Sequence, residues 1–281
     1  MDNNIARRKK EILVSNLKEI KSVVVAFSGG VDSSFLLALA HETLGEKVIA
    51  ATAKSVIHPS HETKIASKFA QEKGIRHIVF RSEEMNNSDF IRNDADRCYY
   101  CKRRMLKTLF QISQDEGIEN IAHGANADDL NDFRPGFRAA KEAGVIAPLI
   151  DVGLNKKEIR FLSRKMGLST WNKPSMACLA SRIPYGSRIT EEKLNMVEKA
   201  ENFLSSIGFK EVRVRHHGSL AKIETGWRDL AKFTGEKLKV AIIDKFRQIG
   251  FAHIAVDLEG YISGKMNRSL GDLKNTKGDN K

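Results

Sequence analysis

The sequence is poor in cysteine, and this scarcity excludes one class of protein. The 281 residues include only three cysteines. An odd and small number of thiols is not the framework of a disulfide-stapled domain. In a reducing compartment such thiols act as metal ligands, as reactive groups or as ordinary core residues. Two of them, Cys98 and Cys101, stand as C-x-x-C in "RCYYCKRRM", and the third is Cys178.

Long hydrophobic runs are also absent. No stretch approaches the roughly 18 consecutive apolar residues that span a bilayer. The N-terminal residues "MDNNIARRKKEILVSNLKEI" alternate charged and apolar side chains at helical spacing, without the apolar core and cleavage site of a signal peptide. We therefore expect a cytoplasmic protein with no membrane partner.

Aromatic residues are few, whereas positive charge is abundant. The net charge of +12 favours an anionic partner, either a nucleic acid or a small phosphorylated molecule. Aromatic residues make up only 7% of the chain, and the basic residues are dispersed along it. A nucleic-acid-binding protein typically has one dense basic face. The composition alone does not choose between the two partners.

The first half of the chain alternates strand and helix patterns. Residues 23–27 form an apolar run typical of a buried parallel strand, and residues 35–40 follow with helical spacing until Gly45. The same alternation continues to about residue 150. It predicts an α/β fold with an open, mostly parallel sheet and helices on both of its faces.

The second half changes pattern after a segment rich in turn-forming residues. Residues 169–190, "STWNKPSMACLASRIPYGSRIT", are typical of a functional loop or a domain boundary. A helix, two strands, a helix and a strand follow. We predict an α/β domain over residues 1–180, a small α+β domain of order αββαβ over residues 181–268, and a polar tail over residues 269–281.

A glycine loop, "AFSGGVDSS", joins the first predicted strand to the first helix after it. Its glycines permit a tight turn, so that backbone N–H groups point into one concavity at a helix N-terminus. Together with the serine hydroxyls, this predicts a pyrophosphate pocket. The loop has neither the G-K-[ST] ending of a Walker A motif nor the spacing of a dinucleotide loop. The alternative is a plain turn before a capped helix.

The heptapeptide "SGGVDSS" resembles the pyrophosphate loop (PP-loop) of the N-type ATP pyrophosphatases, which are adenine nucleotide alpha hydrolase-like proteins. The resemblance implies that ATP is cleaved between its α and β phosphates. It also implies that Asp32 helps to place a magnesium ion. The residues implied to hold the departing pyrophosphate are Ser28, Gly29, Gly30, Asp32, Ser33 and Ser34.

Four further stretches resemble the LarE family, so that the likeness extends from about residue 20 to residue 268: "HGANADDLNDFRPGFRAAKEAGVIAPL", "WNKPSMACLASRIPYG", "VRVRHHGSLAKIE" and "VDLEGYISGKMN". The resemblance implies an ATP-dependent sulfurtransferase of nickel-pincer nucleotide synthesis. In that reaction a carboxylate of pyridinium-3,5-biscarboxylic acid mononucleotide is adenylated, sulfur displaces AMP, and a thiocarboxylate remains. It further implies a homo-oligomer and an external sulfur donor such as sulfide.

The resemblance also offers roles for the three cysteines. One branch of the family sacrifices the cysteine at the position of Cys178, which gives up its own sulfur. Another branch holds a [4Fe–4S] cluster on three cysteines, here Cys98, Cys101 and Cys178, and we favour this interpretation. A zinc site completed by a histidine such as His123 is an alternative. The pair on the helix can also be ordinary helix residues.

Arginines and acidic residues complete the predicted site. Arg213 and Arg215 are two apart on a predicted strand and therefore share a face, which suits the phosphate of a mononucleotide. The alternative for them is a solvated basic face. Arg182 is a candidate electrophilic partner for the acyl adenylate. The predicted nucleotide-binding residues at the sheet edge are Gly124 and Asp128, with Asp129 beside them, and the alternative for the two aspartates is an ordinary helix cap. Glu201 and Glu224 match acidic positions that resemble a metal- or phosphate-proximal site of the family, and Asp229 is a guess for its third acidic position.

Two other functions stay open at this point. A tRNA-thiolating enzyme is permitted by the +12 charge and by the set of three cysteines, although no zinc ribbon or dense basic module is visible in the sequence. A non-enzymatic nucleotide sensor with a redox-active cluster is the second alternative.

Overall fold

A computed structural model describes residues 3–131, 134–174, 177–262 and 264–268. The chain forms two compact units. The first contains Met1–Asn87 and Asp96–Met176, and the second contains Ser88–Ala95 and Ala177–Lys281. The predicted domain boundary at residue 180 stays a prediction, and the predicted polar tail lies outside the described residues.

The first unit is built on a parallel sheet of four strands: β1 (Val23–Ala26), β2 (Val48–Lys54), β3 (Arg76–Arg81) and β4 (Ile121–His123). Their order in the sheet is β3-β2-β1-β4. Val25 pairs with Ala50 on one side and with Ala122 on the other. Since the order reverses at β1, the crevice at the carboxyl ends of β1 and β4 is the topological switch point, where open α/β sheets bind ligands.

The described helices are, in chain order, α1 (Asn3–Ile20), α2 (Val31–Leu44), α3 (Ser60–Glu72), α4 (Ser88–Ile91), α5 (Arg97–Asp115), α6 (Pro135–Glu142), α7 (Pro148–Asp151), α8 (Lys156–Lys165), α9 (Glu191–Ser206) and α10 (Glu236–Ile249). In the first unit, one apolar core includes Phe35 of α2 and Ile159 of α8, and a second includes Leu109 of α5 and Ala140 of α6. The two cores cover opposite faces of the sheet. Among the described residues, no helix has the length and hydropathy needed to cross a membrane.

The second unit contains a smaller sheet. Its strands are β5 (Val212–His217), β6 (Leu220–Thr225) and β7 (His253–Val256), in the order β5-β6-β7. β5 and β6 form an antiparallel hairpin, and β7 adds to β6 in parallel. The helices α9 and α10 cover one face, where Phe209, Phe246 and Phe251 are buried. The α/β fold class with a second, small α+β sheet is therefore confirmed.

Candidate active site

The glycine loop lies at the carboxyl end of β1. Gly29 has φ +67°, and a Cβ placed there would lie 3.3 Å from the Cβ of Ala66 on α3. Gly30 is extended and precedes the first residue of α2. The Ser33 hydroxyl bonds the Gly30 carbonyl at 3.3 Å and lies 3.0 Å from the Ser28 hydroxyl. A left-handed glycine is needed here because another side chain would be strained and would crowd α3.

Asp32 lies in the first turn of α2 and contacts a lysine from far along the chain. Its Oδ2 accepts a hydrogen bond from Nζ of Lys156, the first residue of α8. Its Oδ1 is buried and has no hydrogen-bond partner in the described part of the chain. Burial raises the pKa of Asp32, and the charge of Lys156 opposes that rise. A buried carboxylate oxygen without a donor fits a magnesium ligand.

A second lysine contacts the same loop. Nζ of Lys173 donates to the Gly29 carbonyl at 3.0 Å and to Oε2 of Glu62 at 2.6 Å. The segment that carries Lys173 is held by Arg160, which donates to the carbonyls of Trp171 at 3.0 Å and Lys173 at 2.9 Å. The loop sequence contains no lysine, yet the fold brings two lysines to it.

Ser34 is buried and Gly124 is half-buried in the same region. Ser34 is 0% exposed, and its Oγ has no hydrogen-bond partner among the described residues. A Cβ at Gly124 would lie 2.7 Å from the backbone nitrogen of Ser33. Gly124 is thus required for the packing of the β4 end against the start of α2. Its predicted role in admitting a nucleotide stays a prediction.

Asp128 contacts the start of α8, whereas Asp129 contacts residues near its own loop. Oδ2 of Asp128 accepts from the backbone nitrogen of Lys156 at 2.9 Å. Oδ2 of Asp129 accepts from the backbone nitrogen of Asn126 at 3.0 Å, and Oδ1 pairs with Arg134 at 3.0 Å. The observed contact of Asp128 therefore satisfies an N–H group at a helix N-terminus and fixes Lys156.

The cysteine pair lies in the first unit, on the first turn of α5. Cys98 is exposed and Cys101 is half-buried, and their spacing places them on one side of the helix. Sγ of Cys101 lies 4.0 Å from Oε1 of Glu84, which is 1% exposed. His123 ends β4, and burial together with the charge of Lys102 lowers its pKa to about 3.

The third cysteine belongs to the second unit. Cys178 precedes a short 3₁₀ helix, Leu179–Arg182, and its carbonyl accepts from the Ser181 hydroxyl at 2.7 Å and from Nη1 of Arg182 at 3.0 Å. In the described ranges, no group of three or more His, Cys, Asp or Glu side chains is arranged to hold a metal ion. The cluster, the zinc site and the sacrificial role of Cys178 all stay predictions.

Arg182 is buried beside Cys178 and is held by a carboxylate. It is 0% exposed, and its Nε and Nη2 donate to the two carboxylate oxygens of Glu201, each at 2.9 Å. Burial by itself would lower the pKa of Arg182, but the charge and hydrogen bonds of Glu201 outweigh it and raise that pKa. Arg182 is therefore a permanently charged, rigidly oriented guanidinium.

The two arginines of β5 are also buried, since only 7% of Arg213 and 6% of Arg215 is exposed. Arg215 donates to Oε2 of Glu224 at 2.6 Å and 2.9 Å and to the Ser181 carbonyl at 2.9 Å. Arg213 stacks over the ring of Tyr261 at 5.0 Å, and burial and the nearby Arg182 lower its pKa. The alternative of a solvated basic face is wrong for these two residues.

The predicted metal-proximal acids serve other groups in this structure. Besides Arg182, Oε1 of Glu201 accepts from the backbone nitrogen of Val214 at 2.9 Å. Besides Arg215, Oε1 of Glu224 lies 3.4 Å from Nζ of Lys222. Asp229 pairs with Lys232 at 2.8 Å. Their role as metal ligands stays a prediction, and the observed role of the two glutamates is to orient arginines.

Sequence reasoning missed Lys156 and Lys173. One signal for Lys156 was readable, because "NKKE" at 155–158 has the spacing of a capping box, which the structure contains. A lysine directly after that cap faces the positive end of the helix dipole, which is unfavourable without an anion nearby. For Lys173, the only signal was that it lies in the stretch "WNKPSMACLASRIPYG", which resembles the LarE family.

The comparison with known protein families agrees with the parallel sheet and the glycine loop of the structure. The family model described as "Arginosuccinate synthase N-terminal HUP domain" matches residues 22–168, which contain the parallel sheet and the glycine loop. This match supports the fold class predicted from the sequence. It ends before the Lys173 segment, Cys178 and the buried arginines.

Two relatives extend over nearly the whole chain. An uncharacterised protein of Synechocystis sp. is 39% identical over 93% of this chain and 98% of its own length. The pyridinium-3,5-bisthiocarboxylic acid mononucleotide synthase of Lactiplantibacillus plantarum is 34% identical over 93% of this chain and 95% of its own length. The chain belongs to the LarE family. The predicted family membership is thereby confirmed, and the three-cysteine branch of LarE stays a prediction.

More distant relatives match a smaller part of this chain. The argininosuccinate synthase of Methanothermobacter thermautotrophicus is 28% identical over 53% of this chain and 40% of its own length. The family-model match and this relative each cover about half of the chain, whereas the Lactiplantibacillus plantarum relative covers 93% of it.

Proposed function

We propose that this protein is an ATP-dependent sulfurtransferase that converts a carboxylate of pyridinium-3,5-biscarboxylic acid mononucleotide into a thiocarboxylate. The observation that carries the proposal is the glycine loop at the topological switch point, followed by the half-buried Asp32 in the first turn of α2. The name of the Lactiplantibacillus plantarum relative supports the choice of substrate.

The chemistry proceeds in two displacements. A carboxylate oxygen attacks the α-phosphorus of ATP, the bond from that phosphorus to the bridging oxygen breaks, and pyrophosphate leaves. Sulfide then attacks the acyl carbon of the adenylate, the carbon–oxygen bond to AMP breaks, and the thiocarboxylate remains. The first step is needed because a free carboxylate is a poor electrophile, whereas AMP is a good leaving group.

The first unit would hold the nucleotide. The pyrophosphate would be bound by the turn N–H groups and hydroxyls of Ser28, Gly29, Gly30, Ser33 and Ser34, at the N-terminus of α2. Asp32 would offer Oδ1 to a magnesium ion, since this oxygen is buried without a donor. Gly124 and Asp128 would border the adenylate at the sheet edge.

The second unit would hold the acceptor. Buried guanidinium groups are strong partners for phosphate, so Arg213 and Arg215 would bind that of the mononucleotide. Arg182 would stabilise the negative charge that develops on the acyl group. Glu201 and Glu224 are proposed as metal-proximal residues only on family resemblance, because both now engage arginines.

We further propose that sulfur is delivered at a [4Fe–4S] cluster on Cys98, Cys101 and Cys178. The donor set fits, since cysteine thiolates are the ligands of such clusters and Cys98 and Cys101 share one side of α5. When bound, such a cluster supplies one iron without a protein ligand, to which an external sulfur donor can bind. We also expect a homo-oligomer, as in the family, which light scattering would test.

The test is anaerobic purification followed by iron and acid-labile sulfide assays and by thiolation of the dicarboxylate with ATP and sulfide. We expect iron and multiple turnovers in the wild type. Cys98→Ala and Cys178→Ala should each lose iron and turnover. An iron-free protein in which Cys98→Ala still thiolates once, while Cys178 loses the mass of H₂S, would instead support the sacrificial mechanism. Absence of any thiolated product would refute the proposed function.

A tRNA thiolase is the rival that the same reaction scheme permits. Filter binding with bulk tRNA separates the two, because an RNA enzyme should bind with an affinity that falls steeply with salt. We expect no such affinity, and release of pyrophosphate that depends on the dicarboxylate.

A further inference from the structure

The ammonium groups that contact the glycine loop come from lysines more than a hundred residues later in the sequence. Between residues 27 and 34 the charged side chain is Asp32. A pyrophosphate bound there would face a carboxylate without any lysine from the loop itself. The structure brings Nζ of Lys156 to Asp32 and Nζ of Lys173 to the Gly29 carbonyl. Both ammonium groups thus lie beside the backbone that would surround the phosphates.

Each of these lysines is matched with one carboxylate. Lys156 pairs with Asp32, and Lys173 pairs with Glu62 of α3 at 2.6 Å. The Lys173 and Glu62 side chains are only 14% and 12% exposed. A partly buried ammonium needs such a partner when no ligand is present.

The backbone segments that carry the two lysines are fixed by further hydrogen bonds. The start of α8 is fixed by the capping box of Asn155 and Glu158, by Asp128, and by Lys9, whose Nζ lies 2.9 Å from Glu158. The Lys173 segment is fixed by Arg160, which bonds two of its carbonyls. α8 therefore positions both cations, which limits the entropy lost on binding an anion.

We propose that Lys156 and Lys173 form a two-cation clamp for the β and γ phosphates, and that ATP displaces Asp32 and Glu62 as their partners. This inference rests on the proposed function, because it concerns the same nucleotide site. The clamp takes the place of the lysine of a Walker A loop, from segments more than a hundred residues downstream. The exchange releases Oδ2 of Asp32 and leaves Glu62 as a competitor that weakens binding.

The first experiment measures the affinities of ATP, inorganic pyrophosphate and AMP by calorimetry. Lys156→Met and Lys173→Met should each weaken ATP and pyrophosphate binding by about 10- to 100-fold, because each removes a charged hydrogen-bond donor. AMP lacks the β and γ phosphates and should bind as before. The matched controls Lys157→Met and Lys165→Met, exposed on the same helix, should change nothing. Unchanged ATP affinity, or equal loss for AMP, would refute the clamp.

The second experiment tests whether removal of a carboxylate strengthens or weakens the binding of ATP and pyrophosphate, and it leaves both lysines in place. Glu62→Gln removes the competitor of the phosphates, so ATP and pyrophosphate should bind more tightly, by about threefold to tenfold. If the Lys173–Glu62 pair only braces the loop, the same change would weaken binding, and the proposal would be wrong. These affinities need no dicarboxylate or sulfide. A failure of the clamp is therefore distinguishable from a failure of the sulfur transfer.

Discussion

Arg182 and Glu201 form a buried bidentate ion pair, with Nε–Oε1 and Nη2–Oε2 distances of 2.9 Å each. The pair joins the segment after Cys178 to α9. Because Oε1 also accepts from Val214, the carboxylate connects this segment to β5 as well. The position of Arg182 is thus set by three segments of the second unit.

Removing one partner of this pair should be strongly destabilising. Glu201→Ala leaves the guanidinium buried without its counter-charge, and we expect the free energy of unfolding to fall by about 3–5 kcal/mol. Urea denaturation measures this loss. The exposed neighbour Lys199→Ala should stay within about 0.5 kcal/mol of the wild type. A loss under 1 kcal/mol for Glu201→Ala would mean that water enters the site and solvates Arg182.

Gly124→Ala should disturb the start of α2. The new Cβ would meet the backbone nitrogen of Ser33 at 2.7 Å, and backbone cannot rotate away as a side chain can. We expect a loss of about 1–3 kcal/mol in stability, together with weaker ATP binding. Thermal denaturation and calorimetry measure the two effects. Gly226→Ala is the control, since its Cβ would have only an ordinary contact at 3.8 Å. Wild-type ATP affinity in Gly124→Ala would contradict this account.

Acid should weaken the second unit through Asp257. Burial acts to raise its pKa, but hydrogen bonds from Lys265 and Lys222 outweigh burial and lower the pKa to about 2. The folded pKa is below the unfolded value of about 3.9, so the stabilisation is complete above that value and disappears as the pH falls from about 4 to 2. We expect the free energy of unfolding to decrease by about 1–2 kcal/mol over this range, because solvent screens the charges. Denaturation at several pH values measures this decrease, which should be absent in Asp257→Asn.

His123 should remain neutral in the folded protein throughout the physiological range. Burial and the charge of Lys102 lower its pKa to about 3. The unfolded chain binds this proton below about pH 6.5, so the stability contributed by neutral His123 decreases as the pH falls below that value. NMR should show no titration of the His123 ring between about pH 5 and pH 8. An inflection in that range would mean that water or an anion reaches the ring.

Much of the fold was predictable from local patterns. The apolar run at 23–27 and the helical spacing after it correspond to β1 and α2, because a strand buried on both faces must be apolar throughout. The glycine loop was recognisable for a similar reason, since its conformation is encoded by residues next to one another. Arg213 and Arg215 were recognisable as a pair, but their burial against Tyr261 and Glu224 was not.

The helices and strands, the glycine loop and the family could be inferred from the amino-acid order, since each depends on neighbouring residues or on motifs along the chain. Which charged side chains pair with one another follows from the three-dimensional packing. Lys156 lies 124 residues from Asp32, and Lys173 lies 111 residues from Glu62. No periodicity encodes such pairs, because an ion pair depends on where the sheet order and the helix packing bring two chain segments together. In this protein those long-range pairs, Arg182–Glu201 among them, orient the charged groups of each unit.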